Sequence, residues 1–254
     1  MPNAHQVLGT TVEMPVRIRD ARCFVAGFSA SAEAVRDAIA PTGLTPMVIN
    51  PRSLDPRRFG QARTVAMLVF VQYIDGDLGP YHEFGVCFLV NDPDQPAASV
   101  LQSMRSLVRG DARALIHHLP VDGEFTLAAG RGIWGFPKTM AEFDVDHDSS
   151  RKHGAVRADG HEIVDLTITP GIPVPDQSGG ATLQAYSHLD GVTRRTPWQL
   201  SETSGVRTRI GGAKLILGSH PIADELRGLD LSSHALMTSS VSRLQMEFQD
   251  ATVC

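Results

Sequence analysis

Many short apolar segments, separated by turn-forming residues, are the feature that most limits the folds open to this chain. Such segments, rich in β-branched and aromatic residues and bounded by Gly, Pro, Asp and Ser, are typical of short β-strands. Helices are predicted at Ser31–Ile39 and, as a helix or turn, at Pro221–Leu229. The predicted strands are 22–28, 64–74, 81–90, 124–128, 140–146, 152–158, 161–169, 182–187, 198–204, further strands within 206–218, and 239–248.

This pattern predicts an α+β protein that is mainly antiparallel β, with a barrel- or cone-like sheet and a few peripheral helices. The segments 64–74 and 81–90 flank a Gly- and Pro-containing turn, so they are expected to form a hairpin. Residues 99–108 fit a helix or an extended segment equally well. Since no linker divides the chain, residues 1–254 are expected to form a single domain.

Composition excludes several classes of function. The net charge is -5 and no basic block occurs, so neither nucleic acid nor an anionic membrane is an expected partner. No apolar run approaches the roughly 20 residues that a membrane span needs. Cys23, Cys87 and Cys254 lack the spacing of a zinc site, and residues 1–15 lack the features of a signal peptide. These observations predict a soluble, cytoplasmic protein with reduced thiols.

The residues most indicative of chemistry lie at 130–140, around Lys138, one of three lysines in the chain. Pro137 fixes its own φ and favours an extended backbone at the residue before it, so the lysine follows a rigid turn-like segment. Ile133, Trp134 and Phe136 are expected to desolvate its ammonium group and lower its pKa. A neutral lysine amine attacks ketones and aldehydes to form a Schiff base. The alternative is a lysine whose stem covers the aromatic rings while its head stays in water.

Other patterns in the chain are less indicative of a functional site. Gly130, Gly132 and Gly135 have the spacing of a dinucleotide-binding loop, but Pro137 follows at once and no apolar helical run opens there. His117 and His118 are adjacent, so their rings are expected to diverge, and no metal site is predicted. Lys214 also lies in an alternating segment, but it has no aromatic surround.

The segment around Lys138 resembles the motif of the acetoacetate decarboxylase family, in which Gly-Arg-Glu is followed by an apolar stretch and aromatic-Pro-Lys-Lys. The matching residues are Gly130, Arg131, Phe136, Pro137 and Lys138. The resemblance implies that Lys138 forms an imine with a β-keto acid, without a cofactor, in a homo-oligomeric enzyme. The family's second lysine is replaced by Thr139, which is expected to contact substrate together with Trp134 and Phe136.

A second resemblance covers Tyr81, Glu83 and Gly85, which match the family's Tyr-x-Glu-x-Gly segment. It implies that Glu83 lines the active site as a proton carrier or as a counter-ion to the iminium, with Tyr81 beside the substrate. Strand alternation also allows Glu83 to point outward. Where the family has another acidic residue, fifteen positions before Glu83, this chain has Leu68.

The family also holds the substrate carboxylate with an arginine near the first strand. Arg22 is nearest in register, one residue off, and Arg17 and Arg19 are alternatives. A guanidinium group suits a carboxylate because it can donate two parallel hydrogen bonds.

The resulting prediction is a cofactor-free Schiff-base lyase that decarboxylates a β-keto acid through Lys138. An aldolase, dehydratase or cyclase acting through the same imine is the alternative within this chemistry, favoured by Thr139 and Leu68. Those two residues also predict a larger and more apolar substrate than acetoacetate. The alternative outside catalysis is a ligand-binding barrel that keeps the pocket without the reaction.

Overall fold

The computed structural model describes residues 3–50, 60–94 and 113–254. Its α-helices are α1 (Ala32–Ala38), α2 (Glu124–Trp134) and α3 (Pro221–Gly228), and a short 3-10 helix covers Ala40–Thr42. The strands are β1 (Ala4–Val7), β2 (Thr10–Glu13), β3 (Val16–Ser31), β4 (Arg63–Gly76), β5 (Tyr81–Leu89), β6 (Arg113–Val121), β7 (Lys138–Met140), β8 (Glu142–Asp146), β9 (Lys152–Ala158), β10 (His161–Ile168), β11 (Ile172–Pro173), β12 (Gln177–Leu189), β13 (Val192–Ser204), β14 (Arg207–Arg209), β15 (Ala213–Leu217), β16 (Met237–Phe248) and β17 (Thr252–Val253).

Seven strands close into a barrel in the order β16, β3, β4, β5, β6, β12, β13, and β13 pairs back onto β16. Every pairing around the barrel is antiparallel except that of β6 with β12. The hairpin predicted from the segments at 64–74 and 81–90 is β4 and β5. The predicted fold class, an antiparallel barrel-like sheet with few helices, is therefore confirmed.

The two faces of the barrel wall bury different apolar groups because successive side chains along a strand point to opposite sides. All seven barrel strands contribute to one cluster, which therefore fills the barrel interior, and α2 packs into it. The outer faces of β3, β4 and β5 carry a second cluster that includes Phe24, Phe70 and Phe84. Phe70 stacks on Phe24 and tilts against Phe84, so these aromatic rings join three neighbouring strands.

A four-stranded sheet, in the order β15, β10, β9, β8, packs on that outer cluster together with α1 and α3. The predicted meander at 140–169 is confirmed as β8, β9 and β10. The predicted helices are confirmed as α1 and α3, and Ser31 caps α1 by accepting a hydrogen bond from the backbone N–H of Ala34. None of the described helices is long and apolar enough to cross a membrane. The undecided segment at 99–108 lies outside the described residues.

The strand predicted at 124–128 is wrong, because these residues begin helix α2. The buried residues of α2 recur at the i, i+3, i+4, i+7 and i+8 spacing of one helical face. They are Thr126, Ala129, Gly130, Ile133 and Trp134. The helix ends at Gly135, whose φ of 63° lies in the left-handed region that glycine adopts readily. Hydrogen bonds from the N–H groups of Gly135 and Phe136 satisfy the carbonyls of Arg131 and Gly130 in the last turn of the helix.

Candidate active site

Lys138 is the first residue of β7, a short strand that pairs in parallel with β6 at Leu119. Its side chain is only 3% exposed. The Nζ atom donates a hydrogen bond of 2.7 Å to Thr126 Oγ1 and lies 2.9 Å from Glu83 Oε2. It also lies 4.8 Å from the centre of the Tyr81 ring. The lysine amine is therefore buried against α2 on one side and the β4–β5 hairpin on the other.

Glu83 lies on β5 and faces the barrel interior, where it is 5% exposed. Tyr73 on β4 donates its hydroxyl to Glu83 Oε1 at 2.9 Å, so the two carboxylate oxygens have different partners. The rings of Tyr73 and Tyr81 stack with 4.3 Å between their centroids. The carboxylate is thereby held in one orientation towards Lys138.

Burial dominates the electrostatics of this group. Desolvation lowers the pKa of Lys138 below its usual 10.5, while the charge and hydrogen bond of Glu83 act in the opposite direction. Burial beside Glu83 also raises the pKa values of Tyr73 and Tyr81 well above 10, which keeps both phenols protonated. Of the groups beside the lysine amine, Glu83 is the one that opposes the effect of burial on its pKa.

Gly130 provides the space through which the lysine side chain passes. A Cβ atom at Gly130 would lie 2.5 Å from Cδ and 2.6 Å from Cε of Lys138, far inside van der Waals contact. Gly132, in the same helix, has open space around its Cα. Arg131 also fixes β7, because its guanidinium donates to the carbonyl of Lys138. The glycines that resemble a nucleotide loop thus lie near the end of a helix and do not open one.

The barrel wall beside Glu83 is apolar. Glu83 on β5 pairs with Val71 on β4, and Val71 pairs in turn with Cys23 on β3. Burial raises the pKa of Cys23 to about 12, so this thiol is neutral. We refer to the following interior residues of β3, β4 and β5 as the inner wall: Cys23, Val25, Met67, Val69, Val71 and Cys87.

The structure brings three of the predicted site residues together: Lys138, Glu83 and Tyr81. Trp134 and Phe136 are buried at the C-terminal end of α2, where they stack on each other. Trp134 packs edge-on against Phe248 and donates its indole N–H to a backbone carbonyl of residue 249. The two aromatic side chains therefore anchor the lysine segment to the barrel, and their described contacts are with the barrel wall and each other.

Arg22 and Thr139 are not brought into this cluster. Arg22 lies on the outer face of β3, where it donates to Gln72 and pairs with Asp148. Thr139 is exposed, because alternation along β7 turns it away from the face that Lys138 occupies. Leu68 is fully buried in the outer aromatic cluster, so it faces away from the lysine.

The alternative arginines and lysines also lie elsewhere. Arg17 pairs with Glu247, and Arg19 pairs with Asp75 and Asp77. Lys214 is exposed on β15. The ammonium of Lys152 donates to backbone carbonyls in the turn between β8 and β9.

Two members of the cluster, Thr126 and Tyr73, were missed in the sequence. Thr126 lies in the segment mistaken for a strand, and its spacing of four from Gly130 would have placed both on one helix face. Tyr73 lies directly across from Tyr81 in the β4–β5 hairpin, so cross-strand register was the available signal.

Comparisons with known proteins identify the family of this chain. The sequence profile of the acetoacetate decarboxylase (ADC) family matches residues 1–251. The chain belongs to the acetoacetate decarboxylase family. Among curated proteins, no sequence matches this member of the family closely enough to be significant.

Several solved structures share the fold of this chain. An acetoacetate decarboxylase is 16% identical, with a TM-score of 0.62 over 94% of this chain and 89% of that one. The acetoacetate decarboxylase of Legionella pneumophila is 17% identical, with a TM-score of 0.62 over 94% and 87%. The enduracididine biosynthesis enzyme MppR, complexed with pyruvate, is 14% identical, with a TM-score of 0.63 over 100% and 98%. At these identities the likeness concerns the fold.

Proposed function

We propose that this protein is a cofactor-free Schiff-base lyase in which Lys138 forms an imine with a keto substrate, and that it decarboxylates a β-keto acid. The observation that carries the proposal is the buried Lys138 amine, 2.9 Å from Glu83 and 2.7 Å from Thr126. Burial favours the neutral amine, which is the nucleophilic form. Membership of the acetoacetate decarboxylase family supports the same chemistry.

The reaction begins when the Lys138 amine adds to the substrate ketone. A proton from solvent converts the resulting alkoxide into the carbinolamine hydroxyl. Glu83 is within reach to accept the proton released from nitrogen and to pass it to that hydroxyl, which leaves as water. The iminium then accepts the electron pair of the bond between the α-carbon and the carboxylate, so carbon dioxide leaves and an enamine remains. Protonation of the enamine carbon and hydrolysis by water release the ketone and restore the amine.

Thr126 and Tyr73 position the reacting groups. Thr126 accepts a hydrogen bond from the lysine nitrogen, which orients the amine before attack. Tyr73 occupies one carboxylate oxygen of Glu83, so the other remains directed at Lys138. The stated roles need no group beyond these side chains and water.

Aldol or dehydration chemistry through the same imine is the second candidate. MppR, whose structure is similar, has been solved with the condensation product of pyruvate and imidazole 4-carboxaldehyde. An iminium at Lys138 would activate the neighbouring carbon for bond formation as readily as for loss of carbon dioxide. The two candidates differ in their products but share the lysine.

Borohydride trapping tests the shared step. Incubation with a β-keto acid and borohydride should add the reduced substrate to the peptide that contains Lys138. The chain has only two other lysines, Lys152 and Lys214, so mass spectrometry distinguishes all three. Carbon dioxide release identifies decarboxylation. Labelling without gas release would favour aldol or dehydration chemistry, and no labelling would leave a ligand-binding barrel.

The control for Lys138 must allow for its buried partner. Lys138→Met alone leaves the buried Glu83 without its partner at 2.9 Å, and breaking a buried pair costs about 3–5 kcal/mol. The double variant Lys138→Met/Glu83→Gln removes both ionisable groups and is expected to recover part of that loss. It should fold without being labelled. Turnover by the folded double variant would refute the proposed chemistry.

A further inference from the structure

His117, His118 and Glu225 form a second cluster of reactive side chains, outside the barrel interior. His117 Nε2 lies 2.5 Å from one carboxylate oxygen of Glu225, and His118 Nε2 lies 2.9 Å from the other. The imidazole rings meet edge-on with 4.4 Å between their centroids. Among the residues that the structure describes, no other group of three His, Cys, Asp or Glu side chains brings its donor atoms this close together.

A bulge in β6 explains why two adjacent histidines converge. Val86 pairs with His118 and the next residue of β5, Cys87, pairs with Ile116, so His117 is an extra residue in β6. A bulge places two residues opposite one and interrupts the alternation of side chains. Both rings therefore lie on the outer face of the barrel. The expectation that the rings diverge is wrong for this reason.

Helix α3 holds Glu225 beside the two histidines. Glu225 lies in α3, whose Ile222 and Leu226 are buried in the outer apolar cluster. Phe88 packs against the His117 ring with centroids 5.2 Å apart and closes one side of the group. The side chains of His117, His118 and Glu225 remain 17%, 26% and 34% exposed, so water can reach the free side.

We propose that His117, His118 and Glu225 bind a divalent transition-metal ion of the zinc class, with water completing the coordination. Two imidazoles and a carboxylate are a ligand set that such ions accept, often with an open position. All three donor atoms lie within 4.8 Å of one another. Tetrahedral bonds of about 2.0–2.2 Å separate ligand atoms by roughly 3.3–3.6 Å, so a small rotation of Glu225 would admit the ion. The bound ion links α3 to β6 and is distinct from the proposed lysine chemistry.

Zinc titration of tag-free, chelator-treated protein tests the site. Calorimetry should show one Zn²⁺ bound per chain, and Zn²⁺ should raise the Tm because it binds the folded protein. His118→Gln and Glu225→Gln should each weaken Zn²⁺ binding by at least about tenfold. Loss of a residue that only supports a metal ligand already costs about this much, and loss of a ligand itself should cost no less. Both variants should lose the Zn²⁺-dependent rise in Tm.

The matched control is His5→Gln, which removes a histidine paired with a single carboxylate, Asp250, at 2.7 Å. It should bind Zn²⁺ as the parent protein does. Circular dichroism checks that each variant is folded. His118 and Glu225 lie on different elements, so the test needs only one of the two ligand variants to fold. Absence of Zn²⁺ binding by the parent protein at tens of micromolar would overturn the proposal. Equal affinity in the folded ligand variants would overturn it as well.

Discussion

At the scale of single residues, Glu83 opposes the effect of burial on Lys138. Its negative charge stabilises the ammonium and so raises the lysine pKa, while desolvation lowers it. In Glu83→Gln the pKa of Lys138 should therefore fall further below 10.5. The pH dependence of trapping by borohydride and an aldehyde reports this pKa, and its midpoint should shift to lower pH. An unchanged midpoint, or one at higher pH, would mean that Glu83 does not govern the protonation of Lys138.

Gly130 and Gly132 form a natural pair for a second residue-scale test. Alanine is favoured over glycine within a helix by about 1 kcal/mol, so neither substitution is expected to weaken α2 through helix propensity. Gly130→Ala places a methyl group where the Lys138 side chain runs and should reduce trapping at least about tenfold, because small displacements of reacting groups are costly.

Gly132→Ala meets no atom within 4 Å and should retain full trapping. Trapping rate and Tm are measured for both variants. Equal trapping rates would show that the lysine can take another path past α2. A loss in the Gly132 variant would point to the helix as a whole and not to the space at Gly130.

At the scale of elements, the inner wall of β3, β4 and β5 is predicted to select the substrate of the proposed enzyme. Burying one methylene group contributes about 0.8 kcal/mol, or roughly a fourfold change in affinity. If the proposed function holds, kcat/KM should rise by about this factor per methylene as the acyl chain lengthens beyond acetoacetate. Measured carbon dioxide release from a series of β-keto acids checks this expectation. A preference for acetoacetate would contradict it.

Val71→Thr tests the wall itself, since it replaces a methyl group with a hydroxyl of similar size. The gain per methylene should shrink in this variant and persist in Val253→Thr, an exposed position. In the sequence, the prediction of a more apolar substrate depends on Thr139 and Leu68. Since these residues face away from Lys138, the expectation now depends on the inner wall.

The elements differ in how well the sequence predicts them. Long β-branched segments such as 64–74 predict buried strands, because their composition and bounding turns agree. Helix α2 was missed since its buried face consists partly of small residues, Ala129, Gly130 and Thr126, which give little apolar signal. The bulge at His117 depends on the pairing with β5 and leaves no local trace. Lys138 and Glu83 could be predicted through the resemblance, whereas Arg22 could not be placed because one residue of register reverses its face.

At the scale of the whole molecule, an apolar patch predicts self-association. Ile172, Ile210 and Met237 are 73%, 88% and 46% exposed and line one shallow groove. Large exposed apolar side chains grouped together are typical of interfaces. The homo-oligomer expected from the resemblance should use this patch. In light scattering, Ile210→Lys should give a smaller particle than the parent protein, and Val253→Lys should not. A monomeric parent at micromolar concentration would contradict the prediction.

Strands β3 and β16, which lie near opposite ends of the sequence, pair with each other in the barrel wall. Met237 pairs with Gly27 and Phe248 with Val16, so strands more than 200 residues apart in sequence complete the wall. Contacts of such long sequence separation form slowly, because the intervening chain must first be ordered. During synthesis, Lys138 leaves the ribosome well before β16, so the barrel around it is still incomplete. Burial lowers the pKa of Lys138, so we expect its amine to gain the proposed nucleophilic character only after β16 closes the wall.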